Sequence, residues 1–205
     1  KIDSGYTLGS LESVVKSFGG KIKDVKKAEK YLMVINQKRE LKEGYKKDFF
    51  ESIKKDVISV SNDTGILPSV ILGQAALESN WGRSSLASNY NNLFGIKADS
   101  SWKGEKVNLP TSEYYNTKIK DDFRVYNNLG GSIKDFGQFL MNNARYKKSG
   151  VFKAKTYKEQ IIAIENAGYS TITNEKGKKV YADYVTDIII SNDLQVIDSE
   201  VKGEE

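Results

Sequence analysis

The stretch AALESNWGRSSLASNYNNLFGIK, Ala75 to Lys97, sets one carboxylate, Glu78, at the end of an apolar run. Trp81, Gly82 and an Asn-rich loop follow it. An ionised carboxylate is costly to desolvate. Burial against apolar neighbours disfavours the charged form and raises the pKa, and the negative end of a helix pushes the same way. A glutamate so placed keeps its proton near neutral pH and can deliver it to a leaving oxygen, which is the work of a general acid. A solvated helix-end glutamate is the plainer reading, and the residues that follow decide between the two. The chain has no His and no Cys. That removes Ser-His-Asp and Cys-His nucleophiles and the commonest zinc ligands, and leaves acid–base chemistry to carboxylates, tyrosines and lysines.

The elements that must hold Glu78 can be read from periodicity. Phe49, Phe50, Ile53, Val57 and Val60 recur at helical spacing, and that helix should end between Asp63 and Gly65. Pro68 suits the first position of a new helix, where its missing N–H is not needed. Val70, Ile71, Leu72, Ala75, Ala76 and Leu77 leave that helix almost no polar face, so it should be the buried centre of the domain, with Glu78 at its C-terminal end and Gly82 as its stop. Thr111–Asn116 and Phe123–Tyr126 read as short strands of a small antiparallel sheet. Three further helices are marked by Ile133, Phe136, Phe139 and Leu140, by Tyr157, Ile161, Ile164 and Glu165, and by Tyr181, Tyr184, Val185, Ile188 and Ile189. The expected architecture is α+β and mainly α: a helical lobe and a small β lobe flanking a cleft, with Glu78 on the helical wall.

LPSVILGQAALESNWGRSSLASNYNNLFGIK closely resembles the signature of glycoside hydrolase family 73, bacterial N-acetylglucosaminidases that cut peptidoglycan and include many autolysins. The matching residues are Gln74, Glu78-Ser79, Trp81-Gly82, Ser85-Leu86-Ala87 and Asn91 to Lys97. The likeness continues through Trp102, Gly104, TSEYYN, FRVY, AGYST and YADYV, from roughly Phe49 to Asp193. It implies a lysozyme-like fold, an endo-acting cut at the β-1,4 bond between N-acetylglucosamine and N-acetylmuramic acid, and Glu78 as the catalytic acid. Asn91, Asn92 and the Gly95 backbone are expected to meet sugar hydroxyls and acetamides. Phe94 either faces a pyranose ring or plugs the core. Gln74, Trp102, Tyr115 and Tyr126 complete the expected substrate-binding set. Trp81 and Tyr184 are expected in core packing.

A glycosidase commonly uses a second carboxylate across the cleft. Asp99, Glu105, Glu113, Asp121 and Asp122 are available in the β segment. Glu113 is preferred: it shares a face with Tyr115 in a strand-like run, and it matches the Glu of the family's T-x-E-Y segment. The resemblance also implies a catalytic tyrosine. Here the sequence departs from the family pattern, because ITNEKGKKV separates Gly168-Tyr169-Ser170-Thr171 from Tyr181-Ala182-Asp183-Tyr184. Either Tyr169 or Tyr181 can therefore fill that place. Two rival readings stand beside this one. Lytic transglycosylases end a helix in Glu-Ser but usually follow it with a Gly-Leu-Met-Gln type stretch, absent here. A non-catalytic wall-binding module would be expected to lose the acid.

Composition sets the remaining bounds. Two hundred and five residues suit one large domain or one domain with an appendage. The expected organisation is an N-terminal helical arm over 1–44, packed on a catalytic domain over 45–198, and a charged, frayed tail over 199–205. In the arm, Ala28, Leu32, Ile35 and Arg39 fall on one side of a helix that Gly44 should break. The net charge of +5 is carried by interspersed Lys and Glu, which reads as a solvated surface more than as an anion-binding face. No basic-aromatic module for nucleic acid is present, and no 18-residue apolar run could span a membrane. The chain begins at Lys1 with no leader, as a processed or excised piece would. The expectation is a secreted, wall-located, monomeric enzyme that acts on glycan strands and needs neither cofactor nor metal.

Overall fold

The computed structural model describes residues 25–111 and 119–201, with side chains from residue 44 onward. The chain divides into two compact units, Lys1–Asp48 and Phe49–Glu205. Helix α1, Val25–Thr64, begins in the first and ends in the second. It runs straight through Gly44, so the expected break there is corrected. A mid-helix glycine costs only about 1 kcal/mol relative to alanine, too little to stop a helix whose next turns bury Phe49, Ile53, Val57 and Val60. Ala28, Leu32, Ile35 and Arg39 lie outside the residues whose side chains are described.

In the second unit α1 ends at Thr64, and Gly65 takes a positive φ of 76°. Helix α2, Pro68–Ser79, starts with its proline at the first position. Its open N-terminal amides are taken by distant side chains: Gln160 Oε1 accepts from Leu67 N–H at 2.7 Å, and the Asp198 carboxylate accepts from Ser69 N–H at 2.9 Å and from its hydroxyl at 2.6 Å. Val70, Ile71, Leu72, Ala75 and Ala76 are wholly buried, as an all-apolar helix requires.

Around α2 stand α3 (Ser85–Tyr90), α4 (Leu129–Asn142), α5 (Ala144–Lys148), α6 (Tyr157–Asn166) and α7 (Tyr181–Ser191), with 3₁₀ turns at Val151–Lys153 and Leu194–Ser199. Gly73 decides how near α7 comes. A Cβ there would meet Ile189 Cγ1 and Val185 Cγ1 at 3.0 Å, so only glycine lets the two helices lie this close. Ile133, Phe136 and Leu140 of α4, Ile161 and Ile164 of α6, and Val185 and Ile189 of α7 are buried in one core. Tyr184 is 47% exposed, which corrects its expected place in the core: on α7 it falls between the buried stripe of Tyr181, Val185 and Ile189 and solvent.

The sheet has two antiparallel strands, β1 (Lys106–Thr111) and β2 (Ile119–Arg124), in register from Lys106 opposite Arg124 to Thr111 opposite Ile119. β1 precedes the expected strand Thr111–Asn116, which apart from Thr111 lies outside the described residues. β2 begins before Phe123 and stops at Arg124. Val125 N–H still bonds to Glu105 O, the residue before β1, and Tyr126 N–H bonds to Tyr90 O at the end of α3, so the chain turns from the sheet to the helical lobe at Tyr126. Residues 96–98 run beside β2, with Arg124 N–H on Ile96 O and Ala98 N–H on Asp122 O. The Asn-rich loop is thereby stitched to the sheet.

Candidate active site

Glu78 occupies the last turn of α2, and the backbone after it turns sharply. Asn80, Trp81 and Gly82 all have positive φ, at 50°, 54° and 76°. Two non-glycine residues in this region cost of order 1 kcal/mol each. The turn is held by the hydroxyl of Ser79, which donates to Ala75 O and accepts from Gly82 N–H at 2.8 Å. Trp81 N–H reaches back to Ala76 O at 3.0 Å. The helix therefore ends at Ser79, earlier than the expected stop at Gly82. The cap is asparagine, one of the few non-glycine residues that tolerates the left-handed conformation.

Glu78 is exposed as a residue, yet the protein around its carboxyl is enough to disfavour the charged form. That desolvation raises its pKa above the usual carboxylate range, and a hydrogen bond from Tyr181 opposes the rise in part. Tyr181, the first residue of α7, is 1% exposed; its hydroxyl donates to Glu78 Oε1 at 2.9 Å and accepts from Gln74 Nε2 at 2.9 Å. Gln74 lies one helical turn before Glu78, so both reach Tyr181 from the same side of α2. Tyr169 stands behind, its ring 5.5 Å from that of Tyr181. Burial, with the nearby charge of Glu78 as a lesser cause, pushes the Tyr169 hydroxyl well above the usual tyrosine range. Tyr181 moves the same way, chiefly by burial. Both are neutral donors at any working pH.

An aromatic column links this corner to the Asn-rich loop. Phe94 stacks on Phe136 with centroids 4.0 Å apart and planes 8° from parallel, and Phe136 meets Tyr169 edge-on at 6.2 Å. Phe94 is 5% exposed, so the core alternative holds and its expected contact with a sugar is corrected. Three more expected sugar contacts are corrected for the same reason of burial. Gln74 is fully enclosed. Asn92 is buried with its amide spent on Ile96 and Arg124, donating to both carbonyls and accepting from Ile96 N–H. Tyr126 is buried with its hydroxyl donated to Asp135. Asn91 caps α3 in the left-handed conformation and donates to Tyr126 O at 2.9 Å. Gly95, at φ 66°, turns the same loop.

Trp102 keeps a half-exposed indole. Its N–H donates to Glu105 O at 2.8 Å and the Arg124 guanidinium lies over its ring at 4.7 Å. Arg124 also donates to Asp135 at 2.9 Å and to Lys97 O at 3.1 Å. Glu113 and Tyr115 lie outside the described residues. Sequence reading missed Arg124, Asp135 and Glu165. Glu165 accepts from Ala182 N–H at 2.8 Å and so fixes the start of the helix that presents Tyr181. An acid beside the apolar Ile161 and Ile164 positions, two residues before the AGYST motif, was the available signal. Among the described residues no group of three or more acidic side chains could hold a metal, and no helix is long and apolar enough to cross a membrane.

A carboxyl with a raised pKa, on a buried helix and next to a neutral tyrosine donor, is what proton delivery requires. A family model described as glucosaminidase, mannosyl-glycoprotein endo-beta-N-acetylglucosaminidase, matches residues 54–194. The chain belongs to this family of glycoside hydrolases. It is similar to the peptidoglycan hydrolase FlgJ of Salmonella typhimurium, with 38% identity over 138 residues, 64% of this chain and 43% of FlgJ. It is similar to the exo-glucosaminidase LytG of Bacillus subtilis, with 35% identity over 139 residues, 65% of this chain and 46% of LytG. A probable N-acetylmuramidase of Lactococcus lactis subsp. cremoris is 38% identical over 125 residues, 57% of this chain and 28% of that protein. The matches thus span less than half the length of these relatives. Among solved structures, the catalytic domain of the autolysin Auto from Listeria monocytogenes superposes with a TM-score of 0.64 at 31% identity, covering 75% of this chain and 88% of that one. The mainly helical fold with its small sheet is therefore that of these lysozyme-like glycoside hydrolase domains.

Proposed function

We propose that this glucosaminidase domain hydrolyses the β-1,4 bond on the reducing side of N-acetylglucosamine in peptidoglycan, with Glu78 as the general acid. The observation that carries this is the hydrogen-bonded line Gln74–Tyr181–Glu78 at the end of a buried helix, which holds a carboxyl with a raised pKa on a residue that solvent can reach. The Glu78 proton passes to the glycosidic oxygen as the bond to the anomeric carbon breaks. Glu113, two residues beyond β1 in the sequence, is the candidate second carboxylate, acting as base or nucleophile. Tyr169 and Tyr181 are candidates to support the reacting centre should the substrate's own acetamide take that part. Trp102, Tyr115, Asn91 and the Gly95 backbone remain candidate sugar contacts. Glu78, Tyr181 and Tyr169 come from one chain, so a monomer suffices, and the place of action is the bacterial wall outside the membrane.

The family name and the LytG relative support the glucosaminidase reading; the muramidase relative supports a cut on the other side of the disaccharide. Purified walls digested with the protein and reduced with borohydride distinguish them. Reduced glucosamine ends are expected. Reduced muramic acid would move the cut to the muramidase bond, and anhydro-muramic ends would make it a transglycosylase. No release of ends would leave a binding module.

A further inference from the structure

Gln74 is out of keeping with its surroundings. It is wholly buried in α2, between Gly73 and Ala75. Its Nε2 donates to Tyr181 Oη, while its Oε1 meets no hydrogen-bond donor among the described residues. A buried amide left half satisfied destabilises a fold relative to an apolar side chain of the same shape. Its one made contact is with the residue that touches Glu78.

That contact has a direction. A tyrosine hydroxyl has one proton to give. With Gln74 donating to Oη, the Tyr181 proton is free to point at Glu78 Oε1, as it does here. Glu78 Oε1 is then an acceptor, and a proton carried by the carboxyl must sit on Oε2. Were the amide turned over, Oε1 of Gln74 would face the tyrosine and take its proton. Tyr181 would then offer a lone pair to Glu78, and the acid proton would rest on Glu78 Oε1, tied to the tyrosine and turned from a leaving group. Resting on the proposed role of Glu78, we propose that Gln74 is a positioning residue: it sets the direction of the Tyr181 hydroxyl and so confines the acid proton to Glu78 Oε2. The groups that bear on Glu78 are Tyr181 of α7 and Tyr169 before it, with Tyr146 and Tyr126 acting on Tyr169 in turn. Among the described residues none of these is a cation or a second carboxylate, so the tyrosine hydrogen bond is the adjustable part.

The test is a cycle of Gln74→Met, Tyr181→Phe and the double variant, with Gln74→Leu as a second apolar replacement and a Tm for every protein. The Glu78 carboxyl is followed by carbon-13 NMR titration, assigned by its loss in Glu78→Gln, and wall lysis is followed against pH. Hydrogen bonds in a chain strengthen one another, so loss of Gln74 weakens the bond from Tyr181 to Glu78. Gln74→Met should move the Glu78 titration and the alkaline limb of lysis to higher pH, by a smaller step than Tyr181→Phe. It should lower lysis at the optimum about tenfold, within the range one proton-transfer group contributes, and leave Tm unchanged or raised. In the Tyr181→Phe background it should add nothing. A titration that does not move in either Gln74 variant overturns the inference, as does a shift of equal size with and without Tyr181. A fall in lysis with an unmoved titration means lost packing, and also overturns it. The titration uses no substrate, so undiminished lysis by Glu78→Gln would count against the proposed function and not against the Gln74–Tyr181–Glu78 coupling.

Discussion

Around Glu78 the contacts are neutral: a tyrosine hydroxyl, an amide beyond it and apolar side chains, with no ion pair to the carboxylate among the described residues. Around Arg124, at the base of the sheet, the contacts are charged. Asp135 takes the guanidinium at 2.9 Å, Asp99 stands 3.9 Å away, and an indole lies beneath. The two places need opposite things. A cation within about 4–6 Å lowers a carboxyl pKa by roughly 1–3 units and would leave Glu78 ionised, with no proton to give. A strand that must hold its angle to a helix gains from a paired, nearly buried Arg–Asp bridge. The domain separates them, setting no charged partner beside its acid among the described residues and using its strongest electrostatics as structure.

The sharpest way to break this contrast is at Glu78. Glu78→Gln keeps the shape and removes the transferable proton. Lysis of purified walls should fall by about two orders of magnitude, the scale of general acid catalysis, with the folded state intact by circular dichroism. Near-normal lysis would end the assignment. Next comes Tyr181→Phe, for which we expect a loss of about tenfold and a displaced alkaline limb. The hydrogen bond from Tyr181 lowers the Glu78 pKa, so its removal keeps the proton on to higher pH, and a limb that moved down would contradict the geometry.

On the charged side, Arg124→Met strands Asp135 and takes the support from under Trp102. Breaking one half of a buried pair costs about 3 kcal/mol, so urea unfolding should show a loss near that size, while kcat falls far less than in Glu78→Gln. A fall in kcat as deep as that of Glu78→Gln would erase the division of labour. A smaller effect follows from linkage. Because the folded-state pKa of Glu78 lies above its ordinary value of 4.5, the native state binds the proton more tightly than the unfolded one. Its contribution to stability is present in full below about that value and is lost as pH rises through the folded pKa. Glu78→Gln should therefore match the wild type in acid and exceed it in Tm near neutrality, and a variant less stable at neutral pH would count against the desolvation. Smallest of all is Lys106→Ala. Its bridge to Asp122 at 2.7 Å is exposed, and exposed pairs contribute little. Tm and lysis should both be unchanged, and a measurable loss in either would give the outer sheet a share in the site.

How much of this could be read beforehand depended on whether one face of an element is apolar. Helix α2 was legible because nearly every side chain in it is apolar, and α4, α6 and α7 because their buried positions recur at helical spacing. β1 was missed because Lys106, Asn108 and Pro110 give no strand signal; the strand exists through its pairing with β2 and through residues 96–98 beside it. At the site, Glu78 stood out as a polar residue where the pattern called for none. Gln74, Asn92 and Tyr126, expected as sugar contacts beside the family motifs, turn inward and hold up other residues. A sequence marks a polar residue in an apolar context but not which way it faces. Glu165 and Asp135 bond to partners 17 and 11 residues away, beyond the reach of local periodicity.

Asp198 gives the fold a timetable. It closes the N-terminal end of the helix that carries Glu78 through Ser69, 129 residues earlier in the chain. At about 5–20 residues per second, the protein spends on the order of ten seconds with that helix made but not closed at its start. Gln160, which takes the Leu67 amide beside it, arrives only partway through that wait. The acid is thus put in order late, when almost all of the described chain exists. A nascent chain stalled at Asn192 should leave α2 open to protease, and synthesis past Asp198 should protect it. An enzyme that cuts an essential polymer then has its acid-bearing helix closed only once the chain has been made past Asp198.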